Sequence, residues 1–265
     1  MNYYSCKDLT FVICAYKECE YLEESILSLL NQSEKANILI STSTPNGHIE
    51  GLAEKYGIKM CVNPNGGQIA DYNFAMRQAE TPLIMLAHQD EVLHKDFVKE
   101  IIEKINRSED PIIVFTDYIE MHNNIVDKKQ SKMIKIKKVL LGPAHSRLLM
   151  RTKFGKRMIQ CLGNPITHPS VVCVRNKMPE IVFREEYKAA MDWDLWERLS
   201  KLEGSFVYVD KILLYHRMND DNQTAVLLRT TNDRYNNEYE IFCRFWPRGI
   251  AKLIMRFYSN AYKNY

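Results

Sequence analysis

The sequence predicts an α/β protein whose mainly parallel sheet is flanked by helices. Short apolar runs alternate with helical patterns along the first 115 residues, which is the order that parallel strands with crossover helices require. The most informative run is Leu83–Phe97, where an apolar stretch breaks at His88-Gln89-Asp90-Glu91. Because charged ligands bind at the carboxyl ends of parallel strands, this stretch is the first candidate for chemistry.

The predicted elements follow from apolar periodicity and from turn residues. Strands are predicted at Leu9–Ala15, Ala36–Ile40, Ile58–Val62, up to His88, at Ile112–Phe115, after Thr167, at Phe206–Val209 and at Ile212–Tyr215. Helices are predicted from Tyr21 to Leu30, around Ile49–Tyr56, at Ile69–Ala79, from near Lys95, around Asp192, and over Arg229–Tyr265.

Composition limits the class of protein. The 265 residues are 46% hydrophobic with a net charge of +3, so a real core is possible and no overall charge imbalance points to nucleic acid. The seven cysteines are scattered without a C-x-x-C pair, which favours a reducing cytosol over disulfides or zinc. The first residues lack a signal-peptide pattern, and no apolar run reaches the ~18–20 residues of a membrane span. We therefore expect a cytoplasmic protein.

Two interpretations compete for the first acidic stretch. Asp90 and Glu91 can solvate the start of the following helix. Alternatively, His88-x-Asp90 holds a divalent cation that clamps a diphosphate, since oxygen and imidazole ligands suit Mn²⁺ or Mg²⁺.

A second acidic centre lies in the stretch from Tyr187 to Leu199. Asp192 and Asp194 are two residues apart at a predicted helix start, so they cannot share one helical face. We expect two roles, one of them in a cleft.

Two segments are basic. Lys128–Arg157 carries eleven Lys and Arg residues without Asp or Glu, and it is either a solvated face or a surface for anionic lipid or a diphosphate-linked acceptor. No nucleic-acid motif accompanies it. The helical end, Arg229–Tyr265, mixes basic and aromatic residues, and it either packs on the protein or lies on a membrane surface.

Several segments resemble the family 2 glycosyltransferases, which have the GT-A fold. The first three are FVICAYKECEYLEESILSLLNQS, NPNGGQIADYNFAMRQA and LIMLAHQDEVLHKDF. In that family a Tyr-Asn-x-x-x turn ends the first strand, an Asn…Gly…Arg-Asn segment follows, and an Asp-x-Asp motif ends a later strand. The fourth, YKAAMDWDLWERL, is similar to the Glu-Asp-x-Asp-Leu…Arg-Leu motif, in which the Asp at the position of Asp192 is the general base.

The chain also departs from the family pattern. His88 stands where the family has the first Asp of the metal motif, and Ser41 and Ser43 stand where it has an acidic contact to the nucleoside. Tyr72 replaces an Arg, and Met191 replaces the Glu before the base. The family order Tyr-Arg-x-His is here Tyr215-His216-Arg217.

The resemblance implies an inverting, metal-dependent transferase that uses a nucleotide-diphospho-sugar, with UDP-sugar as the family expectation, and that extends a glycan or polyprenyl-diphosphate-linked acceptor for a surface polysaccharide. It implies donor contacts from Cys14, Tyr16, Glu18, Ser41, Asp71, His88, Gln89 and Arg217; Mn²⁺ or Mg²⁺ ligands from Asp90, His88 and His216; and acceptor contacts from His168, Trp193 and Asp194.

We expect three functional regions along the chain, and two alternative functions remain open. Residues 1–115 would bind the nucleotide-sugar, 116–225 would bind the acceptor and supply the base, and 226–265 would form C-terminal helices on the inner face of the plasma membrane. The first alternative is a catalytically inactive protein of the same fold that binds sugar-nucleotides or assists assembly. The second is a basic protein that binds RNA or membranes, which would leave both acidic centres unexplained.

Overall fold

The computed structural model describes residues 3–122, 124–218 and 233–262. Within these ranges one nine-stranded sheet carries helices on both faces, which confirms the predicted α/β class. The strands are β1 Leu9–Ala15, β2 Asn37–Thr42, β3 Lys59–Val62, β4 Leu83–His88, β5 Val92–Leu93, β6 Pro111–His122, β7 Ile125–Val126, β8 Val171–Val174 and β9 Ser205–Arg217.

The helices connect these strands and complete the chain. They are α1 Leu22–Leu30, α2 Gly47–Tyr56, α3 Gln68–Gln78, α4 Phe97–Asn106, α5 Lys132–Leu140, α6 Arg147–Met150, α7 Lys153–Met158, α8 Met191–Leu199, α9 Asp233–Cys243 and α10 Arg248–Tyr262. Short 3₁₀ turns occur between them, including His168–Ser170 before β8.

The order of the strands is β3-β2-β1-β4-β8-β6-β9-β5, with β7 paired to β6. Strands β1 to β4 are parallel, as the alternation of strands and helices predicts. Strand β8 is antiparallel to both β4 and β6, and β6 pairs in parallel with β9. The sheet thus continues from the first half of the chain into the second.

Two strands are longer than the sequence predicts. Strand β6 runs past Phe115 to His122, and the two short strands predicted around 206 and 215 form the single strand β9. Asp210 and Lys211 are the turn-like residues that suggested a break. They form a bulge, because Thr116 pairs with Val209 and the next residue, Asp117, pairs with Ile212.

Apolar residues alternate between the two faces of the sheet. Phe11 belongs to the core beneath α1, α2 and α4, while Val12 belongs to the core beneath α3 and α8. Both faces of β1 are buried, which explains its continuous apolar sequence.

The C-terminal residues form two helices separated at Pro247, because proline cannot donate the backbone hydrogen bond of a continuing helix. Buried residues of α9 and α10, including Phe242 and Met255, pack with Trp193 of α8. Residues 229–232 and 263–265 of the predicted helical end lie outside the described residues. No described helix combines the length and the apolar character needed to cross a bilayer.

Candidate functional site

The ends of three parallel strands bring predicted donor residues together. In the sheet register Cys14 of β1 lies opposite Ser41 of β2 on one side and His88 of β4 on the other. Just beyond, the Tyr16 N–H donates to Oε1 of Gln89 at 2.8 Å, and the Gln89 amide donates back to the Tyr16 carbonyl at 3.1 Å. These paired bonds fasten the β1 end to the β4 end.

Two further predicted donor residues, Asp71 and Glu18, lie beside this edge. Asp71, in the first turn of α3, accepts hydrogen bonds from the Ser43 hydroxyl at 2.8 Å and the Asn63 amide at 2.7 Å. It therefore fixes the loops after β2 and β3. Glu18 is exposed in the loop that follows β1.

The turn after β4 gathers three potential metal ligands. One ligand atom from each of His88, Asp90 and Glu91 lies within 4.8 Å of the others. Glu91 is only 5% exposed, and its Oε2 has no hydrogen-bond partner among the described residues. Burial raises the pKa of Asp90, and the neighbouring Glu91 carboxylate raises it further. A divalent cation would satisfy the orphaned oxygen and neutralise the carboxylates, so the residues present fit Mn²⁺ or Mg²⁺.

His216, at the end of β9, was expected to be a metal ligand, but the group of ligand atoms brought together here consists of His88, Asp90 and Glu91, and His216 instead contacts Glu91. Its Nδ1 is 2.5 Å from Oε1 of Glu91. Burial lowers the pKa of His216, but the Glu91 carboxylate outweighs that effect and the pKa is raised. The contact orients Glu91, which is the arrangement that second-layer partners of metal ligands adopt. Glu91 itself was interpreted from sequence only as a helix-start residue.

Arg217 is buried and committed to protein contacts. Its guanidinium donates to the Asp90 carbonyl at 3.1 Å and to the Glu24 carboxylate at 2.5 Å, and it also bonds the Asn124 side chain. It stacks over the Tyr21 ring at 3.9 Å. Arg217 therefore positions the turn that carries Asp90, and its guanidinium is occupied by protein groups instead of making the donor contact expected from the sequence.

An aromatic cluster joins the β4 end to the second half of the chain. Tyr72 of α3 stacks on His88 with ring centroids 5.9 Å apart. Nε2 of His88 is 3.2 Å from Nδ1 of His168, whose ring also lies 6.2 Å from that of Trp196 in α8. Burial, followed by the nearby His88, holds the pKa of His168 well below its ordinary value. The predicted acceptor residue His168 is thus a neutral imidazole beside the candidate metal ligand His88.

Tyr72 lies between strand β4 and the second half of the chain. Its ring contacts His88 at 5.9 Å, His168 at 5.6 Å and Phe183 at 5.7 Å. Burial is the main cause that raises the pKa of Tyr72, and Cys14, Asp90 and Asp192 each raise it further.

Asp192 lies in the first turn of α8 and is partly exposed. Its Oδ2 accepts from the Asn164 amide at 2.8 Å, and its Oδ1 accepts from the Trp193 N–H at 2.8 Å. Burial raises its pKa, although both hydrogen bonds oppose that shift. A carboxylate with a raised pKa that keeps some access to solvent is suited to accept a proton.

Asp194 lies in a different environment two residues later. It is fully buried. Its carboxylate accepts a hydrogen bond of 3.0 Å from Arg184, another of 3.0 Å from Arg198, and one of 2.8 Å from Arg244. Burial alone would raise its pKa, but the hydrogen bonds from Arg184 and Arg244 hold the pKa below its ordinary value. Asp194 therefore fastens α8 to the C-terminal helices.

Trp193 is 1% exposed and meets Phe242 edge to face at 4.8 Å. Trp193 and Asp194 were expected to contact the acceptor, but neither side chain reaches the solvent.

Lys137 of α5 is a site residue that the sequence did not single out. Its Nζ donates to the Tyr118 hydroxyl at 3.2 Å and to Oγ1 of Thr167 at 3.3 Å, and no described carboxylate forms a salt bridge with it. Its charge lowers the pKa of both His216 and Asp192, so it lies near both centres. In the sequence its only signal was membership of a long basic segment.

Comparisons with known proteins identify the family and the fold. The model of the family described as "Glycosyl transferase family 2" matches residues 10–174. A protein of Haemophilus influenzae described as an uncharacterized glycosyltransferase is 22% identical over 238 residues, which is 86% of this chain and 71% of the relative.

Solved structures of TarS from S. aureus share the fold. A TarS 1–349 structure in complex with UDP-GlcNAc superposes with a TM-score of 0.63 at 17% identity and covers 93% of this chain and 70% of that one. A second structure, in complex with UDP, gives a TM-score of 0.61 at 15% identity and covers 97% of this chain and 72% of the other.

Proposed function

The chain belongs to glycosyl transferase family 2, and from that premise we propose that it is an inverting enzyme that moves a sugar from a nucleotide-diphospho-sugar to an acceptor hydroxyl. The observation that carries this proposal is the row of ring contacts that joins the two acidic centres. Tyr72 stacks on His88, Nε2 of His88 is 3.2 Å from Nδ1 of His168, and the His168 ring lies against Trp196 of α8, the helix that carries Asp192. A donor edge, a cation site and a base are thereby held in one part of the molecule. Inverting transfer needs these three components together.

On the donor side, residues 1–115 bind the nucleotide. Cys14, Tyr16, Glu18, Ser41, Asp71 and Gln89 lie at or beside the carboxyl ends of β1, β2 and β4, where open parallel sheets bind such ligands. UDP is the favoured nucleotide because the structurally similar TarS was solved with UDP and with UDP-GlcNAc. The transferred group would be a hexosyl or N-acetylhexosaminyl unit.

His88, Asp90 and Glu91 would hold a Mn²⁺ or Mg²⁺ ion, with His216 fixing Glu91. When bound, the cation supplies positive charge to the diphosphate leaving group. Lys137 adds a second positive charge near this site, since its ammonium contacts the Tyr118 hydroxyl and ring and the Thr167 hydroxyl, with no salt bridge to a described carboxylate. Both charges would compensate that of the leaving diphosphate.

Asp192 takes the proton of the acceptor hydroxyl. The Asn164 amide and the Trp193 N–H fix its orientation, and the raised pKa makes the carboxylate a stronger proton acceptor than an exposed aspartate. The acceptor oxygen then attacks the anomeric carbon from the face opposite the diphosphate, and the nucleoside diphosphate departs.

The acceptor side lies in residues 116–225, with His168 at its boundary with the cation site. A glycan or polyprenyl-diphosphate-linked acceptor suits the basic segment 128–157, whose exposed Lys128, Lys129, Lys132 and Lys135 would face an anionic group. Other cations of the segment form salt bridges within the protein, namely Lys138, Arg151, Lys153 and Arg157. Such an acceptor belongs to surface polysaccharide synthesis at the inner face of the plasma membrane, with the protein bound there peripherally.

The decisive experiment measures binding and hydrolysis of a panel of nucleotide-sugars with Mn²⁺, with Mg²⁺ and with EDTA. We expect cation-dependent release of one nucleoside diphosphate, which Asp90→Ala abolishes. Asp192→Asn should retain donor binding and lose transfer to a supplied acceptor. Donor binding without turnover of any donor and acceptor pair would instead favour the inactive sugar-nucleotide-binding protein, and absence of donor binding would overturn the proposal.

A further inference from the structure

The outer face of α10 is apolar although it is exposed. The helix buries Ala251 and Met255 completely against the cluster around Trp193. On its other side Ile250, Leu253 and Phe257 are 45%, 57% and 70% exposed. These three residues recur at i, i+3 and i+7, so they form one stripe along the helix.

A basic stripe accompanies the apolar one. Arg248, Lys252 and Arg256 are exposed at i, i+4 and i+8, and no described carboxylate forms a salt bridge with any of them. From Arg244 to the end of the described residues the sequence contains neither Asp nor Glu. The exposed half of α10 is therefore divided between apolar side chains and unpaired positive charge.

We propose that this face of α10 lies on an anionic lipid surface, with Ile250, Leu253 and Phe257 inserted at the headgroup boundary and the basic stripe on the lipid phosphates. The combination of an apolar stripe with uncompensated cations matches such a surface. A protein partner would instead be expected to supply carboxylates that pair with specific cations, and lysine is depleted in protein interfaces.

Contact of α10 with lipid would bring the predicted base close to the membrane, and this inference rests on the proposed transferase activity. Trp193 of α8 packs directly on the α9–α10 cluster, and Asp192 is its chain neighbour. Helices pack about 8–10 Å apart, so α8 would lie one helix layer behind the lipid surface. A lipid-linked acceptor could reach the base without leaving the membrane.

Vesicle co-sedimentation of the full chain tests the proposal. The vesicles are phosphatidylcholine alone and phosphatidylcholine mixed with phosphatidylglycerol, at low and high salt. We expect binding to the anionic vesicles that high salt weakens. Lys252→Gln with Arg256→Gln should weaken it about 25-fold, from about fivefold per basic side chain near the surface.

Leu253→Glu with Phe257→Glu should abolish sedimentation, whereas Ile181→Glu is the matched control. Ile181 is an apolar residue of similar exposure, 63%, in the loop before α8. Equal binding to both vesicle types, or unchanged binding of the Leu253 and Phe257 variant, would overturn the proposal. Thermal unfolding checks that each variant is folded. Donor hydrolysis without vesicles should be unchanged in these variants, so failure of membrane binding and failure of the transferase assignment are distinguishable.

Discussion

Replacing each aspartate of α8 by asparagine should affect a different property: Asp194→Asn should lower stability, and Asp192→Asn should lower activity. In Asp194→Asn, the guanidinium groups of Arg184, Arg198 and Arg244 would surround a neutral amide instead of a carboxylate. A hydrogen bond to a charged group contributes about 1.5–3 kcal/mol, and removing one partner of a buried ion pair costs about 3–5 kcal/mol. We expect the free energy of unfolding to fall by about 3–5 kcal/mol, a large part of the typical 5–15 kcal/mol.

Asp192→Asn should leave stability nearly unchanged. Burial already disfavours the charged form of Asp192, and an asparagine oxygen can still accept from the Asn164 amide. We expect a change of less than about 1 kcal/mol in unfolding free energy. Transfer should fall at least ~100-fold, because general acid–base catalysis contributes about 10²–10⁴-fold.

Urea unfolding followed by far-UV circular dichroism gives the stabilities, and nucleoside diphosphate release in the presence of acceptor gives the rates. An unchanged unfolding midpoint for Asp194→Asn would refute the role assigned to the buried ion cluster. Normal turnover by Asp192→Asn would refute the base. Destabilisation of Asp192→Asn by more than ~3 kcal/mol would show that the environment of Asp192 is structural, contrary to the reasoning from its partial exposure.

Three further outcomes test other parts of the site. His216→Ala removes the partner of Glu91 and should weaken Mn²⁺ binding about 10–100-fold in a calorimetric titration, as loss of second-layer contacts does. Lys137→Met should lower kcat/KM about 10–100-fold, from the loss of about 1.5–3 kcal/mol, whereas the exposed Lys135→Met should not. The pKa of Asp194 is held below 3.8, so the stability it adds is present at neutral pH and is lost as pH falls through the folded-state pKa. Urea midpoints should therefore fall in acid, and less steeply for Asp194→Asn.

The parallel half of the sheet could be predicted from sequence to within a few residues. Buried parallel strands require continuous apolar runs, and Leu9–Ala15 is both the predicted and the observed strand. The second half was harder, because β6 continues through the polar residues Thr116 and Asp117. Their burial between neighbouring strands depends on pairing that no local pattern reveals.

The residues of the candidate site could likewise be predicted from sequence only in part. The family resemblance implied that Cys14, Ser41 and His88 contact one donor, and the register places Cys14 between the other two. The spacing of Asp192 and Asp194 predicted two roles, but the ion cluster around Asp194 could not be predicted, since Arg244 lies 50 residues away in the sequence. The contacts of Arg217 with Asp90, Glu24 and Asn124 could not be predicted either, because they join distant segments.

The bulge in β9 determines which side of the sheet the strand end presents. Asp210 and Lys211 are extra residues between Val209 and Ile212, and Leu213 is a further extra residue between Ile212 and Leu214, which pair with Asp117 and Tyr118. Because side chains alternate faces along a strand, the number of extra residues here sets the orientation of everything downstream, including His216. Relatives of this chain should therefore keep the length of the segment between Val209 and Leu214, because a change of one residue would move the support of Glu91 to the wrong side of the sheet.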